Sequence, residues 1–65
     1  MTTRIYRTLT RTKFENLVLK HYQDVSKRLH KEETFESKIV NLTLYYNKGV
    51  HIGTWHSKGA WLDVA

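Results

Sequence analysis

From Ile39 onward the chain alternates apolar and polar positions in steps of two. Val40, Leu42, Leu44 and Tyr46 form one apolar row, which resumes as Val50 and Ile52 and again as Ala60, Leu62 and Val64. A period of two marks strands with one buried face. The row is interrupted twice by short polar triplets ending in glycine, Asn47-Lys48-Gly49 and Ser57-Lys58-Gly59. Read as three-residue hairpin loops, with glycine taking the left-handed position, they place Tyr46 opposite Val50 and Leu44 opposite Ile52. They also place His56 opposite Ala60 and Thr54 opposite Leu62. Both turns then put the aliphatic residues on one side. Asn41, Thr43, Tyr45, His51, Gly53, Trp55, Trp61 and Asp63 fall on the other, with Trp55 facing Trp61. A slip of one residue at either turn would exchange the two faces.

Upstream the period changes. Phe14, Leu17, Val18, His21, Tyr22, Val25 and Leu29 recur in steps of three and four, the stripe of an amphipathic helix, and Leu19 falls off it. Thr12 and Glu15 have the spacing of a capping box. Lys27, Arg28 and Lys31 complement the negative end of the helix dipole. The expected helix covers residues 12–33. A connector follows, with Phe35 tucked under the helix end, and then the meander over residues 38–65. Residues 1–10 contain Ile5, Tyr6 and Leu9 and form either a strand or an arm carrying Arg4 and Arg7, with Arg11 just beyond.

The expected fold class is α+β in a single small domain. One amphipathic helix packs on a three-stranded antiparallel meander, with or without an additional N-terminal strand, in the order β-α-β-β-β. Helix followed by three strands resembles double-stranded-RNA-binding domains and three-stranded DNA readers in order of elements alone. No sequence motif accompanies that resemblance, and it assigns no family.

Composition narrows the function. The 65 residues carry no cysteine and no proline and have a formal net charge of +5. Disulfides and thiolate zinc sites are excluded. A basic balance favours anionic partners, either nucleic acid or an acidic protein surface. No apolar run approaches the roughly 20 residues that span a bilayer, and Met1 to Thr10 lacks the apolar stretch of a secretory signal. A cytoplasmic protein with no membrane partner is expected.

The candidate site is the polar and aromatic sheet face: Tyr45, His51, Trp55 and Trp61, with Asn41 and Thr43. Aromatic side chains on an open sheet stack unpaired bases and also anchor protein interfaces. Arg4, Arg7, Arg11, Lys48 and Lys58 are the candidate basic contacts. No spacing among the four histidines matches a metal motif, and no phosphate loop or nucleophile motif is present. No enzyme, cofactor or metal is therefore expected. The favoured function is a nucleic-acid-binding accessory or regulatory protein. The alternative is a small protein-binding inhibitor or adaptor, of phage or mobile-element type, using the same aromatic face. Pairing of Trp55 and Trp61 between copies would make a homodimer.

Overall fold

The computed structural model describes residues 2–64. Met1 and Ala65, the outermost residues of the expected N-terminal segment and meander, lie outside them. The elements are β1 (Thr3–Arg7), α1 (Arg11–His21), β2 (Val25–Glu33), β3 (Ile39–Asn47), β4 (Val50–His56) and β5 (Gly59–Val64). The strands form one antiparallel sheet in the order β1-β5-β4-β3-β2. The expected long helix on a three-stranded meander is thereby corrected. The sheet has five strands, and the helix is one short element on it.

The helix ends early for local reasons. Thr10 is its N-cap, accepting the Lys13 N–H on its hydroxyl at 3.3 Å. The capping box expected at Thr12 and Glu15 does not form. Glu15 turns inward instead and accepts hydrogen bonds from Lys27 at 3.0 Å and from the Tyr45 hydroxyl at 2.8 Å. At the other end Tyr22 is already extended, at φ −135 and ψ 135, and its hydroxyl donates to the Asp63 carbonyl of β5.

Residues 25–33 then pair with β3 along their whole length, from Val25 opposite Asn47 to Glu33 opposite Ile39. Val25 and Leu29 are four apart, a spacing that suits one helix stripe and one strand face equally. The strand satisfies the ladder groups of β3 that a helix would leave without partners. Phe35, expected beneath the helix, stands fully exposed in the β2–β3 turn.

Both later turns hold two residues, not three. Asn47 pairs with Val50, leaving Lys48 (φ 51) and Gly49 (φ 81) as the loop. Two left-handed residues in succession form the turn whose twist matches a hairpin. His56 pairs with Gly59 around Ser57 and Lys58. A bulge then displaces the register of β4. Tyr46 faces His51 but Tyr45 faces Gly53, so Ile52 is the extra residue. At such a bulge two successive residues share one side of the sheet, and Ile52 and Gly53 are both buried under the helix.

The core is Phe14 and Val18 of α1 against Tyr45, Ile52, Ala60 and Leu62. Phe14 meets Tyr45 edge-on, with centroids 5.2 Å apart. Gly53 lets β5 come close at this point of the sheet, since the Trp61 carbonyl leaves no room for a Cβ. One built there would fall 2.8 Å from the Trp61 carbonyl oxygen and 3.4 Å from Phe14. Ile52, Ala60 and Leu62 therefore face the helix, whereas Val40, Leu42 and Leu44 are half-buried on the opposite face. Among the described residues no helix is long and apolar enough to cross a membrane.

Candidate functional site

Strand pairing fixes what each sheet face presents. Under the helix lie Thr43, Tyr45, Trp55, Ala60 and Leu62. On the open face Arg4 is opposite Asp63, Tyr6 opposite Trp61, Trp61 opposite Thr54, and His51 opposite Tyr46. Leu44 continues that face toward Arg28 of β2.

A row of planar groups crosses the open face. The Arg4 guanidinium lies 3.9 Å above the Trp61 ring. Trp61 meets His51 edge-on at 5.0 Å, and His51 tilts against Tyr46 at 5.2 Å. The His51 Nε2 atom lies 2.9 Å from both the Gly53 carbonyl and the Thr54 hydroxyl. Four strands thus contribute one member each. Tyr6 extends the aromatic surface beyond Trp61, with two-thirds of its area exposed (67%).

Asp63 sets the position of Arg4 through a two-pronged contact, Nε to Oδ1 at 2.7 Å and Nη2 to Oδ2 at 3.1 Å. The hydrogen bond from Arg4 holds the Asp63 carboxyl below its ordinary range, against the opposing pull of desolvation. The same contact stabilises the Arg4 cation further. A guanidinium fixed flat over an indole is a preorganised cation–π pair. Beside it a shallow groove runs between Tyr6 and Trp61, with Arg7 and Lys58 among its lining residues. Arg7 donates to the Tyr6 carbonyl at 2.8 Å, which keeps it at that edge.

The structure divides the residues singled out from the sequence. Trp61 and His51 share the open face with Arg4, while Arg7 and Lys58 line the adjoining groove at the strand ends, Arg7 having the parity of Ala60 on the helix side. Thr43 and Tyr45 lie under the helix, 1% and 2% exposed, and take no part in the open face; Tyr45 borders a hollow between α1 and β2 with Glu15, Val25 and Lys27. The Tyr45 hydroxyl is a tether to Glu15, and burial followed by that hydrogen bond pushes its pKa well up. Burial alone would raise the Glu15 carboxyl. The hydrogen bonds from Lys27 and Tyr45 outweigh that effect and hold it below its ordinary value.

Trp55 also belongs to the helix side. Its indole N–H donates to the Leu9 carbonyl at 2.9 Å, and Arg11 sits 5.0 Å from its ring. The expected pairing of Trp55 with Trp61 is therefore absent. Trp55 faces Ala60, and Trp61 faces Thr54. Asn41 shares the parity of Thr43 but lies out along β3, where it lines a hollow with Arg11 and Lys31. Lys48 is exposed in the β3–β4 turn.

Tyr6 and Tyr46 are site residues that the sequence does not single out, because alternation groups Tyr46 with the apolar row and Tyr6 with the apolar positions of residues 1–10. The available signal was Asn47-Lys48-Gly49, which also suits a two-residue left-handed turn. Among the described residues no group of three or more His, Asp or Glu could hold a metal ion. Comparison of the chain with protein-family models, with curated proteins and with solved structures finds no match.

Proposed function

We propose that this chain is a non-catalytic, cytoplasmic, nucleic-acid-binding accessory or regulatory protein whose contact surface is the open sheet face around Trp61. The observation that carries the reading is the row Arg4–Trp61–His51–Tyr46 on the face away from the helix, with Arg7 and Lys58 lining the groove at its edge, Arg7 from the helix side of β1. Unpaired bases stack on such rings whatever their sequence. Cations at the edge of the platform neutralise phosphates and release counterions. Arg4 serves both ends of that chemistry: one face of its guanidinium rests on Trp61, and the other is available to a base. The net charge of +5 draws an anionic strand toward the surface.

The test is titration with a short mixed-sequence single strand and the matching duplex, followed by intrinsic tryptophan fluorescence at low and moderate salt. The expected outcome is quenching by the single strand, with an affinity that falls steeply as salt rises and falls further on Trp61→Ala. Unchanged fluorescence at low salt, together with no retardation of either nucleic acid, would remove the reading.

A second reading has its own observation. Val40, Leu42 and Leu44 form a half-buried aliphatic column on the same face, which suits an apolar protein partner more than a phosphate backbone. On that reading the chain is an inhibitor or adaptor, Leu44→Ala weakens binding more than Arg7→Ala does, and salt has little effect.

A further inference from the structure

β2 is an outermost strand of the sheet, and its free edge is long and regular. All nine residues of Val25–Glu33 pair with β3 without a bulge, and all but Val25 are exposed. Such an edge presents unpaired N–H and C=O groups in a row, a template for another strand. The helix packs chiefly on β4 and β5, and Glu15 reaches β2 only at Lys27, so the edge is clear. β1, the other edge, has five residues and no acidic side chain to pair with Arg4 or Arg7, so antiparallel self-pairing there would form no ion pair.

The order of charge along β2 is segregated. Lys27 and Arg28 lie at one end, Glu32 and Glu33 at the other, and His30 in the middle. An antiparallel neighbour can face a residue only with one whose backbone groups point the same way, so odd positions face odd and even face even. A two-fold axis at Leu29 would set Lys27 against Lys31, and an axis at Lys31 would set the two Lys31 residues together. An axis at His30 places Lys27 opposite Glu33 and Arg28 opposite Glu32, each twice by symmetry. It also lays Lys31 beside Leu29, an apolar side chain left 73% exposed in one copy, where the lysine stem can cover it.

We propose that the chain forms a symmetric homodimer by β2-to-β2 pairing about an axis at His30, joining two sheets into one of ten strands. The backbone ladder supplies the association, and the four ion pairs select the register. The open faces of the two copies then lie on the same side of the joined sheet. This assembly stands whether or not nucleic acid is the ligand of that face.

The experiment uses two charge variants and sedimentation equilibrium. Lys27→Glu with Arg28→Glu makes the strand ends uniformly acidic, and Glu32→Lys with Glu33→Lys makes them uniformly basic. The wild-type chain is expected to sediment as a dimer. Each variant alone should sediment as a monomer, and an equal mixture of the two should restore a 1:1 dimer. Circular dichroism of each variant checks that loss of the Lys27–Glu15 contact leaves the fold intact. Amide hydrogen exchange on the wild-type chain needs no variant, and it should show protection of the outward-facing N–H groups of Leu29, Lys31 or their even-numbered neighbours. A wild-type chain that stays monomeric with a fast-exchanging β2 edge would overturn the proposal. So would variants that each self-associate as tightly as the wild type.

Discussion

Trp55 and Trp61 sit on adjacent strands, each near an arginine, and they serve opposite faces of the sheet. The Trp55 indole is hydrogen-bonded to the Leu9 backbone and packs against the core. Trp61 is flanked on its own face by two side chains, Arg4 above it and His51 at its edge. The Trp55 contact ties the indole to the loop before the helix, whereas the Arg4 contact lies on the open side of the sheet, where Asp63 holds the guanidinium in place. The difference teaches that an indole's role follows from what holds it, and that strand parity decides which side holds it. Trp55 faces the helix side, and Trp61 is the indole that the proposed function gives to a partner.

The comparison can be broken from the covered side first. Phe14→Ala removes the ring that seats the helix on Tyr45 and Gly53 and should cost about 3–5 kcal/mol, measured by urea denaturation. In a chain this small that loss leaves much of the population unfolded. Trp55→Ala should come next, at about 3 kcal/mol in the same assay, since the indole hydrogen bond and its packing go together.

Gly53→Ala should cost roughly 1–3 kcal/mol by overpacking, because the new methyl group meets the Trp61 carbonyl at 2.8 Å. Trp61→Ala reverses the pattern. Its stability loss should be smaller than that of Trp55→Ala, while affinity for a single strand falls by about 1–3 kcal/mol, as read by a fluorescence-polarisation titration on a labelled oligonucleotide. Equal stability losses for the two tryptophans would erase the distinction between the faces.

Two smaller effects sharpen it. The buried Thr43 hydroxyl has no hydrogen-bond partner among the described residues. Thr43→Val keeps the shape and removes a group that folding desolvates, so stability should be unchanged or rise by up to about 1 kcal/mol. Acid acts on the open face through Asp63. Its carboxyl lies lower in the folded chain than its ordinary value, so its contribution is complete above the unfolded carboxylate range near about 4 and is lost as pH falls through the folded value. Melting temperatures measured from neutral to acid pH should therefore fall less steeply for Asp63→Asn than for the wild-type chain.

The strand positions of the chain's last third could be read from the alternation, because Ile39–Asn47 and Gly59–Val64 keep a period of two and Val50–His56 departs from it only at the bulge. The helix start was legible to within a residue or two. Its length was not, since Val25 and Leu29 fit both periods and only pairing with β3 decides between them. The faces were misread for a compound reason. Two-residue turns move the parity at both hairpins, and the bulge at Ile52 returns one aliphatic residue to the helix side while Leu42 and Leu44 stay on the open one. Neither change alters the hydrophobic pattern itself. Arg4, Arg7, Lys58, His51 and Trp61 were all singled out from the sequence, but their gathering depends on β1 pairing with β5, a contact between the two ends of the chain that no local pattern records.

The most direct test of the central claim is an NMR titration of the two indole N–H resonances with a short mixed-sequence single strand at low salt. The account predicts a shift at Trp61 that disappears as salt rises, with Trp55 unmoved. A shift at Trp55 while Trp61 stays in place, or no shift at either, would contradict it.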